Sequence, residues 1–333
     1  MKSYGTMFNL ELPLGDDIKF YAFGSMNNKS SDAYAYTRNW SARPTRFPID
    51  NKGKLIFVPS IMFTSGSGDT SYNPHIQADI QDLSMVTGFS KTSKNGWDWD
   101  FSNSFGNNNF HYFGHGTFNA SNIGNITQTH FDDGGFSFLQ NTINANFSKE
   151  LNAKTNLAFG AEYRYERYNL YAGEEASYRN YDVSSGAGAG AQVFAGFTPP
   201  FAGTFSRNNI ALYIDVEQDF TREWLVAGAL RFEHYSDFGS TLNYKIASRY
   251  KIGDKFTIRA AASSGFRAPS MQQRFYAKTN TLFVSGPGGL VATESGTFPN
   301  GSAPAKILGI PELKQETSRN YSAGITAKRS YSC

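Results

Sequence analysis

The sequence predicts an all-β protein whose antiparallel strands form a transmembrane β-barrel. Three observations support this fold class. Hydrophobic and polar residues alternate with a period of two along about eleven segments, and short turns alternate with long loops between them. Aromatic residues make up 16% of the chain and charged residues only 18%, a balance typical of a barrel that presents apolar and aromatic side chains to lipid.

The composition also excludes several other classes of protein. No uninterrupted apolar run reaches the roughly 18 residues that a membrane-spanning helix needs, and the mean hydropathy is −0.44. The many aromatic residues argue against disorder, and the single cysteine, Cys333, cannot build a disulfide scaffold or a cysteine-based zinc site. The net charge is only +3, and the lysine and arginine residues are scattered rather than clustered. We therefore expect no nucleic-acid partner.

Each predicted strand shows the alternation on its own. In the segment 157–166, Leu157 and Phe159 share one face, whereas Glu162 and Arg164 share the other. The eleven predicted strands are residues 4–14, 18–26, 80–89, 97–105, 139–148, 157–166, 210–217, 224–233, 242–250, 256–264 and 321–327.

In a barrel, one face of the sheet meets lipid and the other lines a water-filled lumen. The residues that we expect to face lipid are Leu157, Phe159, Leu212, Ile214, Val226 and Leu230. The candidate lumen-facing residues are Glu162, Arg164, Glu166, Arg231 and Glu233. Aromatic residues follow several short turns, as an interfacial girdle requires, namely Trp97, Trp99, Trp224 and Phe256.

The connections between strands alternate in length. Short turns are predicted at 15–17, 93–96, 150–155, 221–223 and 252–255, and longer connections at 27–79, 107–134, 169–207 and 266–317, with a short one at 236–241. This alternation is typical of a barrel with small periplasmic turns and large outer loops, whereas a soluble sheet such as a β-sandwich lectin shows no such regularity. Loops on a rigid wall are where binding residues concentrate. The candidate ligand contacts of the first loop are Tyr34, Tyr36, Trp40 and Phe47.

Other groups of polar residues were weighed as chemical sites. Glu162 and Glu166 could form a carboxylate pair, but an ion ladder along a lumen wall explains them better. A loop metal site is conceivable from His111, His115, His130, Asp132 and Asp133, which are also common residues in polar loops. The glycines of 186–190 lack the strand and helix that flank a phosphate-binding loop. We therefore expect no catalytic residue, no cofactor and no metal ion.

Several segments resemble the TonB-dependent outer-membrane receptors, in particular those of the Bacteroidetes type. They are Arg-Phe-Glu-His-Tyr-Ser-Asp-Phe-Gly at 231–239, Asn-Tyr-Lys at 243–245, Ser-Gly-Phe-Arg-Ala-Pro-Ser at 264–270, and Glu-Leu-Lys-Gln-Glu-Thr-Ser-Arg-Asn-Tyr-Ser-Ala-Gly at 312–324. Gln315 stands where the family usually has proline. The resemblance implies an outer-membrane location and active uptake of a scarce ligand, such as a siderophore, cobalamin or oligosaccharide, energised by TonB. The partners it implies are outer-membrane lipid and an extracellular small molecule.

The departures from the family pattern lead to further expectations. The family has a plug domain, a TonB-contacting segment and a barrel of about 22 strands, whereas this chain shows about eleven strands and no export signal at Met1. We expect residues 1–328 to be a partial barrel, an open half-barrel without the plug domain, and 329–333 to be a tail outside the family. TonB would be contacted only through the absent N-terminal region, so the fragment would not function alone. A passive pore or a barrel enzyme remains the alternative.

Overall fold

The chain forms eleven long antiparallel strands, in a computed structural model that describes residues 1–15, 17–93, 96–286 and 289–328. The side chains of 279–294 are not described, and the predicted tail 329–333 lies outside the described residues. The strands are β1 (Lys2–Gly15), β2 (Ile18–Tyr34), β3 (Arg38–Asn39), β4 (Phe63–Thr64), β5 (Thr70–Tyr72), β6 (His75–Thr92), β7 (Trp97–His115), β8 (His130–Asn152), β9 (Thr155–Ala172), β10 (Gly203–Asp219), β11 (Trp224–Tyr235), β12 (Gly239–Ile252), β13 (Phe256–Arg267), β14 (Lys278–Gly286), β15 (Gly289–Thr297) and β16 (Glu316–Ala327). Within the described ranges, three short α-helices lie in the loops, namely α1 (Glu175–Tyr178), α2 (Met271–Phe275) and α3 (Ala303–Ile307).

The main sheet follows the order of the chain. Its strands run β1-β2-β6-β7-β8-β9-β10-β11-β12-β13-β16, and each pairs antiparallel with the next. This confirms the predicted fold class and the count of eleven strands. In the part of the chain that the structure describes, the sheet is not closed, because β1 and β16 each pair on one side only.

The pairing register separates two faces of the sheet. Residues directly opposite each other in an antiparallel pair point to the same side. Ile214 lies opposite both Phe159 and Leu230, whereas Ala211 lies opposite both Glu162 and Glu233. The first set belongs to an exposed face of large apolar side chains, on which Leu212 is 53% and Leu242 63% exposed. We call it the apolar face, and the opposite side the charged face.

The strands extend further than the sequence predicts at the end of the sheet that carries the long loops. The predicted strand 139–148 extends to 130–152 in β8. The first long loop, predicted at 27–79, is shorter and spans 35–74. Some stretches of the added residues are polar or glycine on both faces, as in Asp132 to Gly135, and alternation of hydrophobicity cannot reveal a strand there. Among the described residues, no helix is long and apolar enough to cross a membrane.

Candidate functional site

The long loops fold onto one another at one end of the sheet. A buried hydrophobic cluster, which we call the loop core, takes members from three of them. Phe47, Val58, Met62 and Tyr72 come from the first loop, Phe118 and Ala120 from the loop after β7, and Ala187 from the loop after β9. Because these residues are far apart in sequence, their packing joins the three loops into one body.

Tyr72 lies at the centre of the loop core. Its ring packs edge-on against Phe47 with 5.0 Å between centroids, and its centroid is 4.7 Å from that of Phe118. Its hydroxyl donates a hydrogen bond of 3.0 Å to the backbone oxygen of Arg46. Burial raises the pKa of the Tyr72 hydroxyl, so this group stays protonated and keeps donating across the physiological pH range.

The four aromatic residues predicted as ligand contacts divide into two pairs. Tyr34 and Tyr36 are exposed, and Tyr36 has 86% of its surface open to solvent. Phe47 is only 1% exposed, and Trp40 packs edge-on against it with 5.6 Å between ring centroids. The structure therefore brings Trp40 and Phe47 together as part of the loop core and places neither with Tyr34 or Tyr36.

A second buried cluster attaches the loops to the charged face of the sheet. Tyr168 and Leu170 of β9 pack with Phe197 of the third loop and Met271 of α2. Tyr168 lies two residues beyond Glu166 on the same strand, so both side chains point to the same side. The loops after β9 and β13 are thus anchored on the wall that carries the predicted lumen-facing residues.

Four of those five predicted residues form one connected set of ion pairs on the charged face, and the fifth, Glu166, belongs to a second set. Arg231 bridges β11 and β9, with 2.7 Å from its Nε to Glu233 and 3.2 Å from its Nη2 to Glu162. Arg164 contacts the other oxygen of Glu162 at 2.6 Å. Each carboxylate is therefore paired with an arginine, which suits a structural ladder better than a pair of catalytic acids.

Arg207 was not among the predicted residues, yet it links Glu166 to the loops. Its guanidinium pairs with Glu166, both side chains being nearly fully buried, and lies 3.8 Å from Asp237. It also donates a hydrogen bond of 2.6 Å to the backbone oxygen of Pro269. Extending the alternation of β10 back from Ile210 would have placed Arg207 on the charged face, so a signal was present in the sequence.

The second set of ion pairs ends in the last long loop. Asp237, in the turn after β11, also pairs with Arg274 of α2. Pro269, the last residue of the Phe-Arg-Ala-Pro segment, accepts the hydrogen bond from Arg207, and the next residue, Ser270, caps α2 through a capping box. The segment therefore holds the start of the last long loop against the charged face of the sheet. In each set two arginines balance two carboxylates, namely Arg164 and Arg231 with Glu162 and Glu233 in the first, and Arg207 and Arg274 with Glu166 and Asp237 in the second.

A buried acid and a buried lysine lie where two loops meet the sheet. Asp133 is fully buried at the loop end of β8, and neither carboxylate oxygen has a hydrogen-bond partner in the described part of the chain. The Nζ of Lys278 lies over the rings of Phe194 and Phe197, 4.6 Å from the centroid of the latter. Burial raises the pKa of Asp133 to about 9 and lowers that of Lys278 to about 7, and their mutual attraction opposes both shifts.

Two of the histidines considered as metal ligands, His115 and His130, lie in a row with His75 rather than around one point. His75, His115 and His130 are paired across β6, β7 and β8, with 5.5 and 5.7 Å between neighbouring ring centroids. The pairing shifts by one residue at Tyr112 and Phe113, so Asp132 contacts His111 at 2.7 Å while Asp133 projects from the other side. No group of three or more potential ligands converges among the described residues.

Comparison with known proteins places this architecture in a family. The family model described as TonB dependent receptor-like, beta-barrel matches residues 16–332. The ferrienterobactin receptor of Escherichia coli (strain K12) is 23% identical over 371 residues, which cover 97% of this chain and 46% of the relative. A Vitamin B12 transporter, BtuB of Vibrio cholerae serotype O1, is 31% identical over 71 residues, or 21% of this chain and 12% of the relative. The chain thus spans about half or less of the length of these curated relatives.

Solved structures share the fold. The siderophore receptor PirA from Pseudomonas aeruginosa superimposes with a TM-score of 0.53 at 15% identity, over 98% of this chain and 50% of that one. The RagAB peptide transporter gives 0.56 at 12% identity, over 97% and 38%. The relatives are receptors and transporters, and members of the family are outer-membrane proteins. From the eleven-stranded sheet and the family match over 16–332, we conclude that the chain belongs to the TonB-dependent receptor family and matches its β-barrel.

Proposed function

We propose that the chain forms wall and outer loops of an outer-membrane receptor that takes up a scarce extracellular small molecule with energy supplied through TonB. The observation that carries this proposal is that the two faces and the two ends of the sheet differ in character. One face is apolar and exposed, the other carries a balanced ion network, and the long loops interlock at one end only. A transporter wall needs these three features together.

The apolar face supports contact with lipid. Leu212, Ile214 and Leu230 are about half exposed, although each is a residue type that normally lies in a protein interior. An apolar surface of this extent is unfavourable in water, whereas it is favourable in contact with lipid hydrocarbon. Trp97, Trp224 and Phe256 begin their strands beside short turns, which suits an interfacial aromatic belt at the periplasmic side.

The open edges of the sheet support the need for further strands. β1 and β16 each carry one unpaired edge among the described residues, and each unsatisfied backbone group costs several kcal/mol in hydrocarbon. The eleven strands therefore act as part of a larger closed barrel, with residues 1–328 as wall and loops, and do not transport alone. Glu162, Arg164, Glu166, Arg231 and Glu233 face the lumen, and TonB is engaged by regions other than these strands.

The test is TonB-dependent uptake in cells whose native gene is edited in place. The probes are iron-55 as ferric enterobactin, cobalt-57 cyanocobalamin and carbon-14 maltohexaose, each measured with and without a functional TonB. We expect TonB-dependent uptake of one probe and its loss in Ile214→Arg, because arginine at the lipid face costs about 2–4 kcal/mol near the bilayer midplane.

Asp215→Asn is the matched control, since Asp215 neighbours Ile214 in β10 but points to the opposite face. It should keep both outer-membrane assembly, seen as a heat-modifiable band, and uptake. The proposal is wrong if the assembled protein takes up none of the three probes in a TonB-dependent manner, or if Ile214→Arg assembles as well as Asp215→Asn.

A further inference from the structure

A row of three imidazole rings crosses neighbouring strands at the loop end of the sheet. His75 begins β6, His115 ends β7 and His130 begins β8. His115 is paired with both of the others, and its ring centroid lies 5.5 Å from that of His75 and 5.7 Å from that of His130. Imidazole is a common ligand of zinc, copper and nickel ions, so the pairing of the strands places metal-binding groups side by side.

The row lies on the same side of the sheet as the apolar face. The pairing of β6 with β7 runs without a shift from His75 opposite His115 to Phe89 opposite Phe101. On each strand the histidine and the phenylalanine are an even number of positions apart, so their side chains point to one side. Phe89 and Phe101 are 46% and 45% exposed on the apolar face. The histidines therefore stand on the outer side of the wall, opposite the charged face.

Asp32 of β2 orients the ring of His75. The Nδ1 of His75 lies 2.9 Å from the Oδ1 of Asp32. Because a carboxylate only accepts hydrogen bonds, this Nδ1 carries a proton, and the Nε2 of the neutral ring keeps its lone pair. A carboxylate that holds the far nitrogen of a histidine in this way is the usual outer partner of a metal-binding imidazole. The carboxylate also supplies a negative charge close to the row.

The spacing of the first two rings fits one shared metal ion. With Zn–N bonds of about 2.0–2.1 Å at a tetrahedral angle, two imidazoles on one Zn²⁺ have ring centroids about 5.2 Å apart. The observed 5.5 Å between His75 and His115 is close to this value. The two ring planes lie at 87°, and His115 is exposed, so rotation about its χ2 turns a nitrogen toward the ion without moving the backbone.

His75 is a better partner for His115 than His130 is. The ring of His130 stacks on Phe113, with 5.5 Å between centroids, whereas Asp32 fixes the tautomer of His75. Among the described residues no three potential ligands converge on one point, so the two imidazoles are the protein ligands and water completes the coordination.

We propose that His75 and His115 together bind a divalent cation of the Zn²⁺ class on the outer side of the barrel wall, with Asp32 as the positioning residue. His75 directly follows the first loop and His115 directly precedes the second, and Tyr72 and Phe118 of the loop core lie three residues from them. A bound ion clamps the ends of these two loops together beneath the loop core. The inference goes beyond the proposed function, because this ion lies outside the wall and is not the captured molecule.

The test is a Zn²⁺ titration by calorimetry of the receptor purified from its native membrane in detergent, after a chelator has removed bound metal. His75→Gln and His115→Gln should each bind one ion fewer than the parent. Asp32→Ala should bind the same ion about tenfold more weakly, the usual effect of losing an outer carboxylate. In the parent, Zn²⁺ at about 100 times its Kd should slow hydrogen exchange at 72–75 and 115–118 about 100-fold, since the ion binds only while the strand ends are joined.

A spectroscopic measurement separates ligation from a general disturbance of the fold. With Cu²⁺ as the probe, electron paramagnetic resonance should show two nitrogen ligands in the parent and in Asp32→Ala, and no such two-nitrogen signal in His75→Gln or His115→Gln. Each variant is first shown to assemble as a heat-modifiable band.

His130→Gln is the matched control, because it removes the other imidazole beside His115 and should leave the number of bound ions unchanged. The proposal is overturned if His75→Gln or His115→Gln binds as many ions as the parent, or if His130→Gln loses the same ion. Because no uptake is measured, failure of transport and failure of this metal site are distinguishable.

Discussion

Arg46 donates a hydrogen bond of 2.9 Å to the side-chain oxygen of Gln192, although the two residues lie in different loops and 146 positions apart. The amide nitrogen of the same Gln192 side chain donates to the backbone oxygens of Gly188 and Gly190. Its backbone nitrogen donates to Thr117 of the intervening loop. One buried glutamine therefore connects all three loops that build the loop core, and they are expected to order together.

Replacing Gln192 with alanine should loosen this connection. The change removes the acceptor of Arg46 and the donors to Gly188 and Gly190, so we expect a loss of about 1–3 kcal/mol and faster hydrogen exchange across 173–202. Hydrogen exchange followed by mass spectrometry measures both. Gln272→Ala, at an exposed site on α2, should change neither quantity. Unchanged exchange in 173–202 for Gln192→Ala would contradict the role of Gln192.

The two pairs of first-loop aromatics should respond differently to truncation. Phe47→Ala empties part of the loop core and should destabilise the outer loops by about 3–5 kcal/mol. Tyr36→Ala removes an exposed ring and should alter stability by less than about 0.5 kcal/mol, while lowering affinity for the captured ligand. Limited proteolysis of intact cells reports the first effect and cell-surface binding the second. Equal protease sensitivity of the two variants would contradict the assignment.

Arg231 should contribute more to stability than Arg222, an exposed arginine in the turn between β10 and β11. Arg231→Met leaves Glu233, which is nearly fully buried, without its ion pair and deprives Glu162 of one partner. Because Arg231 is itself one-third exposed, we expect about 2 kcal/mol rather than the 3–5 kcal/mol of a fully buried pair. The temperature of the gel-band shift measures the change. Arg222→Met, in the exposed turn before β11, is the control and should be neutral.

Asp133 and Lys278 predict a particular dependence of stability on pH. The folded-state pKa of Asp133 is raised to about 9, so folding binds a proton and stability falls as pH rises above the ordinary carboxylate range. The pKa of Lys278 is lowered to about 7, so its contribution to stability increases with pH above 7. The two slopes therefore oppose each other between about pH 7 and 9, and only the fall due to Asp133 operates between about pH 4 and 7.

The variant Asp133→Asn isolates the fall at acidic pH. It removes the ionisable carboxyl at nearly constant shape, so its stability relative to the parent should improve steadily from pH 4 to 7. Thermal unfolding in detergent at four pH values measures this difference. Asp254→Asn, in an exposed short turn, should show no such trend. A pH-independent difference for Asp133→Asn would show that the carboxyl is not held protonated.

The period-two alternation was enough to predict the wall of the molecule. The opposite placement of Phe159 and Glu162 follows from their spacing of three residues on a strand, because successive side chains point to opposite faces. The eleven strands and their antiparallel order follow from the same pattern together with the short turns. Lipid and water impose this regularity directly on the sequence, so it can be read without knowing any tertiary contact.

The loops and the ends of the ion network were decided only in three dimensions. Nothing local distinguishes Phe47, buried at the centre of the loop core, from Tyr36, which is exposed, since both are aromatic residues in one polar loop. The links of Arg207 to Asp237 and Pro269 likewise join segments separated by 30 and 62 positions. Such contacts depend on how irregular backbone closes over the sheet, which no periodicity records. The sequence by itself determined the strands and their faces, and the tertiary structure decided which loop residues are interior and which remain available to a ligand.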